Sequence, residues 1–169
     1  MEITNNWKRG KASGPRTAGF SLIELLIVVA IILIIAAIAI PNLIKSKMAA
    51  NESSAVGSLR TINTGEVNYA ASCPGVGYSP SLVALNSGGA CAGGAGIIDN
   101  ILSGGKKSGY TFLYATVQGG DLLNDTYTVT ATPASLGTTG QRQFYSDHTG
   151  VIRYALAGSG VGATSSPLQ

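Results

Sequence analysis

The sequence is poor in the residue types that build metal sites and nucleophile sites. Its 169 residues include a single histidine, His148, and two cysteines, with no C-x-x-C pair. A metal site in a protein needs several cysteine, histidine or carboxylate ligands at close spacing. The nucleophile elbow G-x-S-x-G and the phosphate-binding P-loop are missing as well. The sequence therefore predicts no catalytic residue, no cofactor and no bound metal, and it indicates a protein that is not an enzyme.

The few remaining candidates for ligands are badly placed. Asp121, Asp125 and Asp147 are scattered over predicted loops, without the D-x-D-x-D-G spacing of a calcium loop. His148 lies in a predicted turn, where a solvated or turn-forming role is the ordinary one. These residues predict no site.

Charged residues are scarce, at 11% of the chain, and the net charge of +3 is unevenly placed. Four basic residues and Glu2 give residues 1–19 a charge of +3, and the seven basic and seven acidic residues that follow cancel. The basic residues of this leader are Lys8, Arg9, Lys11 and Arg16. A nucleic-acid-binding protein carries a basic face on its folded domain. The sequence therefore predicts no sequence-specific nucleic-acid partner.

The sequence does contain one long apolar run, residues 20–40, in which only Ser21 and Glu24 are polar. As a helix this run is about 32 Å long, enough to cross the hydrocarbon core of a bilayer. Basic residues before a membrane segment favour keeping that end in the cytoplasm. The sequence thus predicts one transmembrane helix with a cytoplasmic N-terminus, and a domain after Pro41 on the outer side of the membrane.

Glu24 is unexpected in this run. An acidic residue at the centre of a membrane helix costs about 2.5–3.5 kcal/mol on insertion scales. Such a residue is a candidate functional residue that needs a partner. The alternative is a side chain that lies near the helix end and snorkels to the interface.

The leader differs from an ordinary secretory signal. Such a signal has a basic region, a short apolar region and a small-residue cleavage site. Here the basic leader meets the apolar run directly, and no A-x-A-like site closes the run. A plain signal anchor with a polar cytoplasmic tail is one interpretation.

The segment GFSLIELLIVVAIILIIAAIAIP resembles the N-terminal signature of type IV prepilins and the related pseudopilins. In that family a dedicated aspartic peptidase cuts after the glycine that ends a basic leader, and the new first residue is N-methylated. The resemblance implies that residues 1–19 are removed after Gly19 and that Phe20 becomes the methylated N-terminus. On this resemblance, Glu24 is the glutamate that lies four positions after the new first residue, and Pro41 is the proline that kinks the helix.

The resemblance also supplies a partner for Glu24. After cleavage Phe20 carries a cationic α-amine, and the family pattern pairs the Glu24 carboxylate with the amine of a neighbouring subunit. Slipped packings leave two desolvated charges unpaired, so this pair sets the axial register of a filament. The helix also offers small residues that let backbones approach closely, namely Ala30, Ala36, Ala37 and Ala39.

Helical spacing continues after Pro41. A proline inside a continuing helix kinks it, and the sequence predicts one helix over residues 20–71, bent at Pro41. Residues 20–40 form its transmembrane or filament-core part, and residues 41–71 form an amphipathic continuation. The apolar stripe of this continuation is Ile44, Met48, Ala55, Leu59, Ile62 and Tyr69, with Lys45, Lys47, Glu52 and Arg60 placed outside it. A helix that simply ends at Pro41 is the alternative.

Residues 72–108 are rich in glycine and small residues, and Cys73 and Cys91 bracket most of this stretch. A domain outside the cytoplasm lies in an oxidising compartment. The sequence therefore predicts a Cys73–Cys91 disulfide that closes the loop. Two free thiols, half of a metal site, and low-complexity disorder are the alternatives.

Residues 109–157 alternate like strands, and the predicted fold is α+β. About four strands (110–118, 126–133, 141–147 and 151–157) form a small antiparallel sheet on the helix, with turns at Gly119-Gly120 and at His148-Thr149-Gly150. This is the α/β roll that the resemblance implies, followed by a mobile tail over residues 158–169. Asn51 and Asn124 match the N-glycosylation pattern, and the sequence places Asn124 in a loop.

Three functions fit these features. The first is the pilin of a type IV pilus, a homo-oligomeric filament for attachment, twitching motility or DNA uptake. On this interpretation the partners are the prepilin peptidase and N-methyltransferase, an inner-membrane assembly platform and a cytoplasmic ATPase. The subunit is then a single-pass inner-membrane protein before assembly and part of a cell-surface fibre afterwards.

The second function is a pseudopilin of a type II secretion system. Its major subunit typically carries a D-P-W-G-x-P-like C-terminal segment, whereas Trp7 in the leader is the only tryptophan here. The third is a membrane-anchored periplasmic module that does not polymerise.

Overall fold

The computed structural model describes residues 19–87, 96–120 and 123–168. The chain forms two compact units, one ending at Ile40 and the other beginning at Pro41. The first helix, α1, runs over Leu22–Ser72 and contributes residues to both units. The helix predicted over residues 20–71 is thus confirmed to within two residues at either end.

Two short helices and one short strand lie in the stretch predicted as a loop. The helices are α2 (Leu82–Ser87) and α3 (Asn100–Ser103). Asp99 caps α3, because its side chain accepts hydrogen bonds from the backbone N–H groups of Ile101 and Leu102. Such a cap satisfies two of the amide donors that a helix start leaves free.

The sheet has six strands where the sequence predicted about four. They are β1 (Lys106–Lys107), β2 (Tyr110–Gln118), β3 (Asn124–Pro133), β4 (Arg142–Asp147), β5 (Arg153–Leu156) and β6 (Ser166–Pro167). Each strand pairs antiparallel with the next in sequence, so the sheet is a meander. The α+β prediction is confirmed, and the strand count is corrected.

The two additional strands are the edges of the sheet. Strand β1 is joined to β2 by a two-residue turn, in which Ser108 has φ +49° and Gly109 has φ +72°. Positive φ at both turn residues is the type I′ geometry, which matches the twist of a hairpin. Strand β6 comes from the predicted tail and pairs with Arg153 and Tyr154 of β5. Short edges that carry lysine or proline resist pairing with other sheets.

The C-terminal unit has one hydrophobic core, between α1 and the inner face of the sheet. Five of the six residues of the predicted stripe are buried, whereas Ile44 is 42% exposed. Because side chains alternate along a strand, the core residues of β2 and of β3 lie two positions apart. The strand residues of the core are Tyr110, Phe112, Tyr127, Val129, Ala131 and Phe144.

The structure corrects the sequence prediction for Asn124. This residue begins β3 instead of lying in a loop, and it is only 5% exposed. Its side-chain amide donates to the Tyr78 carbonyl oxygen at 2.8 Å. A buried and hydrogen-bonded amide is not accessible for glycosylation in the folded protein.

Candidate functional site

The predicted processing residues lie immediately before α1. Gly19 and Phe20 are both exposed, and Phe20 retains 73% of its accessible surface. A β-carbon added at Gly19 meets no atom within 4 Å among the described residues. The predicted role of Gly19 in processing stays a prediction.

Glu24 occupies the third position of α1, in its first turn. Ser21 precedes the helix, and its carbonyl oxygen accepts the N–H of Leu25 at 3.2 Å. Ser21 is thus the N-cap residue by its backbone, and Ser21 and Glu24 have the S-x-x-E spacing that is typical of a capping box. A carboxylate in the first turn also interacts favourably with the helix dipole. Removing the Glu24 charge therefore also affects the start of the helix.

Glu24 has no intramolecular counter-ion in the part of the chain that the structure describes. The ion pairs there join Lys107 to Asp99 and Arg142 to Glu52. The α-amine of Phe20 is still part of a peptide bond, because the chain includes the leader. The predicted pairing of Glu24 with a neighbour's amine therefore stays a prediction.

The apolar part of α1 is exposed all round its circumference. Its large apolar residues between Leu22 and Ile40 are 45–79% exposed. The helix includes an 18-residue window with a mean hydropathy of 3.3, of which 0% is buried within the chain. A helix that is hydrophobic on every side is normally buried by lipid or by other chains. This segment is long and apolar enough to cross a membrane.

Pro41 lies inside α1, and helical structure continues on both sides of it. The bend predicted at Pro41 stays a prediction.

Cys73 follows the end of α1 and is 2% exposed, with its N–H donating to the Tyr69 carbonyl at 2.9 Å. Cys91 lies outside the described residues, so the predicted pairing of these two cysteines also stays a prediction.

Two buried carboxylates on α1 were not predicted. Glu52 was expected outside the apolar stripe, but it is 7% exposed, and Glu66 is 0% exposed. The buried positions 48, 52, 55, 59, 62, 66 and 69 repeat at alternating spacings of four and three, which places them on one helix face. That spacing is the signal in the sequence that would have identified both residues.

Glu52 is anchored to the start of β4. Its Oε1 accepts the N–H of Gln141 at 2.8 Å, and its Oε2 accepts the Arg142 Nε–H at 2.8 Å. Burial by itself raises the pKa of Glu52, but these hydrogen bonds and the Arg142 charge outweigh burial and hold the pKa below its ordinary value. Glu52 is therefore ionised and paired at neutral pH.

Glu66 lies in a different environment. It accepts hydrogen bonds from Ser79 and from the hydroxyl of Tyr114, which lies on β2. Burial raises the pKa of Glu66, against these hydrogen bonds, which lower it. The net result is a pKa above the ordinary glutamate value. The pKa values of these two buried carboxylates are thus shifted in opposite directions.

Comparison with known proteins concerns the N-terminal segment. Residues 14–40 match the family described as the prokaryotic N-terminal methylation motif. Over 55 residues, 32% of this chain, the sequence is 51% identical to the Type IV major pilin protein PilA of Myxococcus xanthus (strain DK1622). The match spans 25% of the length of that protein. No solved structure matches the chain. These two matches support the type IV prepilin family for the N-terminal segment, which carries the methylation motif.

Proposed function

We propose that this protein is a structural subunit, a pilin, of a type IV pilus. The observation that carries the proposal is the helix segment that follows Gly19-Phe20. It is apolar on every side, exposed along its whole length in the single chain, and interrupted by one carboxylate. A bilayer covers such a surface before assembly, and the helices of other subunits cover it afterwards.

Processing prepares the subunit for assembly. A prepilin peptidase on the cytoplasmic side removes residues 1–19, and the same enzyme system methylates the amine of Phe20. The subunit then waits in the inner membrane, with its C-terminal unit outside the cytoplasm. An assembly platform and a cytoplasmic ATPase move it into the filament, which reaches the cell surface.

Glu24 positions each incoming subunit. Its carboxylate pairs with the methylated amine of a neighbour's Phe20, and both charges are removed from a low-dielectric environment as a pair. Because a register shift leaves both charges unpaired, this contact selects one axial position. The role of the protein is structural, and catalysis is left to the proteins that process and move it.

The test is to delete the gene in the source organism and image the cells for surface filaments. Filaments sheared from wild-type cells should contain this chain as their main component by mass spectrometry, and the deletion strain should lack them. Loss of protein secretion with surface filaments intact would indicate a pseudopilin of a secretion system. Uncleaved chain in the membrane, with filaments intact, would indicate an anchored module that does not polymerise.

A further inference from the structure

Glu66 is a fully buried carboxylate at which three parts of the C-terminal unit meet. Its Oε2 accepts the backbone N–H of Ser79 at 2.8 Å. Its Oε1 accepts the Ser79 hydroxyl and the Tyr114 hydroxyl, both at 2.6 Å. The carboxylate thus connects α1, strand β2 and the connecting segment, which we define as residues 73–81.

No cation balances this carboxylate within residues 19–87, 96–120 and 123–168. The ion pairs found there use other acidic residues, Asp99 and Glu52. The neighbouring helix α2 has the sequence LVALNS and contains no ionisable side chain. A buried charge without a counter-ion is costly, and a group in that position usually takes up a proton instead.

The titratable groups around Glu66 do not compensate its charge. Tyr114 of β2 and Tyr127 of β3 both have their pKa raised, first by burial and then by the negative charge of Glu66. Tyr78 of the connecting segment packs edge-on against Tyr127, at 4.9 Å between ring centroids, and Asp147 of β4 also acts on Tyr127. These groups are neutral or anionic at neutral pH, so none of them stabilises an ionised Glu66 as a counter-ion.

The hydroxyl donors around Glu66 have other acceptors within reach. The Tyr114 hydroxyl lies 2.8 Å from the Ser79 carbonyl oxygen, and the Ser79 hydroxyl lies 3.2 Å from the Ser81 carbonyl oxygen. Hydroxyl groups rotate to suit their partners, and each has acceptor lone pairs. When Glu66 is protonated, these hydroxyls donate to the carbonyls, and a hydroxyl oxygen accepts the new Glu66 O–H. Protonation therefore leaves no hydrogen-bonding group of the cluster unpaired, whereas ionised Glu66 places a charge without a counter-ion in the core.

We propose that Glu66, Ser79 and Tyr114 form a proton-operated latch. Protonated Glu66 fixes the end of the connecting segment, residues 79–81, against α1 and β2, and ionised Glu66 loosens that attachment. The preceding residues stay paired with β3 by a separate set of bonds. Tyr78 N–H donates to the Asn124 carbonyl at 3.0 Å, and Asn124 N–H donates to the Val76 carbonyl at 2.8 Å.

The direction of the pH dependence follows from linkage. A carboxyl whose pKa is raised by folding stabilises the closed segment below its unfolded pKa, and the stabilisation is lost as the pH rises through the folded pKa. Between these two values the equilibrium constant for opening rises about tenfold per pH unit. The latch is tightest below the ordinary glutamate pKa and loosest above the folded pKa of Glu66.

The experiment is amide hydrogen exchange on the full chain in detergent micelles, resolved by NMR over about pH 4–8 and corrected for intrinsic exchange rates. The Ser79 amide bonds directly to Glu66 and reports the latch, whereas the Tyr78 amide bonds to Asn124 and serves as a reference. Protection of Ser79 should fall about tenfold per pH unit above the ordinary glutamate pKa and then level off. Protection that is flat, or that rises with pH, overturns the proposal.

Two variants and one control complete the test. Glu66→Gln keeps the shape without the charge, so the Ser79 profile should become flat, and retention of the wild-type slope overturns the proposal. Tyr114→Phe removes a hydrogen-bond donor that favours ionised Glu66, so its folded pKa should rise. The pH at which Ser79 protection stops falling should then be higher than in the wild type, and an unchanged profile counts against the latch. Tyr114→Phe also provides the test if Glu66→Gln does not fold. Glu52→Gln, the matched buried carboxylate, should leave the Ser79 profile as it is.

Discussion

The side chain of Ile97 fills the space next to the α-carbon of Gly65 on α1. A β-carbon built on Gly65 lies 3.0 Å from Ile97 Cγ2 and 3.6 Å from the nearest methyl carbon of Leu85. Gly65 is buried, and the missing side chain lets Ile97 and Leu85 of α2 pack closely against the helix. A glycine in a helix interior costs about 1 kcal/mol relative to alanine, and here the cost is offset by packing that a side chain would prevent.

The first prediction compares two glycines of α1. Gly57 is exposed, and a β-carbon there meets no atom within 4 Å. Gly57→Ala should therefore raise the free energy of unfolding by about 1 kcal/mol, the propensity difference. Gly65→Ala gains the same propensity but forces Ile97 to move, and overpacking of this kind costs about 1–3 kcal/mol. The free energies of unfolding of both variants can be measured by thermal and denaturant unfolding of the full chain in detergent, monitored by the circular dichroism of tyrosine.

The comparison is decisive because the two substitutions are chemically identical. Gly65→Ala should be clearly less stable than Gly57→Ala. Equal stability of the two variants would mean that Ile97 yields without cost and that the glycine is not needed for packing.

Local pattern was enough to predict the long elements. Residues 22–40 form one apolar run, residues 44–69 have helical spacing, and the two long strands β2 and β3 alternate over much of their length. The short elements depend on single contacts, such as the Asp99 cap and the two-residue turn at Ser108. Strand β6 exists only because β5 is there to pair with it. Such tertiary dependence is not visible in a local window.

The candidate sites also differ in whether local sequence or tertiary contacts define them. The predicted processing motif is contiguous in sequence, so Gly19, Phe20 and Glu24 could be predicted from the basic leader and residues 19–41 alone. The Glu66 cluster brings together residues separated by 13 and 48 positions. Its members become neighbours only in the folded chain, and the spacing of Glu66 on α1 predicts burial without naming its partners.

The second prediction concerns the pH dependence at Glu52. Because folding lowers the pKa of Glu52, its contribution to stability is present above the unfolded pKa and is lost as the pH falls through the folded pKa. Glu52→Gln leaves the Gln141 amide and Arg142 with a weaker partner, a loss of about 1–3 kcal/mol at pH 7. At about pH 3 the difference between variant and wild type should be smaller. Denaturant unfolding of both proteins at the two pH values measures this difference in free energy of unfolding. A difference that is larger at pH 3 than at pH 7 would contradict a lowered pKa of Glu52.

The third prediction is the Cys73–Cys91 disulfide. Closing a loop between cysteines that are 18 positions apart stabilises a fold by roughly 3 kcal/mol in the chain-entropy picture. Peptide mapping of the exported protein without reduction should find the two cysteines linked. Substituting both by serine should lower the free energy of unfolding by a similar amount. Labelling of both thiols by an alkylating reagent before any reduction would refute the bond.

The fourth prediction is processing at Gly19. Intact-mass measurement of the exported chain should show a first residue of Phe20 with one added methyl group. Gly19→Val should leave full-length precursor in the membrane, because the side chain crowds the peptidase site. The structure supports this test, since a β-carbon at position 19 meets no atom of residues 19–87, 96–120 or 123–168 within 4 Å. Normal cleavage of Gly19→Val, or an unmodified Phe20, would argue against the proposed processing.

The last prediction separates two expected effects of the Glu24 charge, on the start of the helix and on filament assembly. Glu24→Gln keeps the shape and removes the charge, so the helix loses only the dipole interaction, about 0.3–1 kcal/mol. Membrane insertion should be as good as in the wild type or better, because the apolar run loses its charge. Assembly should suffer far more, because an incoming amine is desolvated without a partner, and breaking a buried pair costs about 3–5 kcal/mol.

Ser21→Ala is the matched control for this test. It removes the N-cap hydroxyl and leaves the carboxylate, so it should weaken the start of α1 by about 1 kcal/mol and still allow filaments. Electron microscopy and the yield of sheared filaments, normalised to subunit in the membrane, compare the three strains. Wild-type subunit expressed together with Glu24→Gln should restore filaments in part, since the variant still offers its amine to a neighbour. Normal filaments from Glu24→Gln alone would show that the carboxylate serves the helix terminus and not the filament.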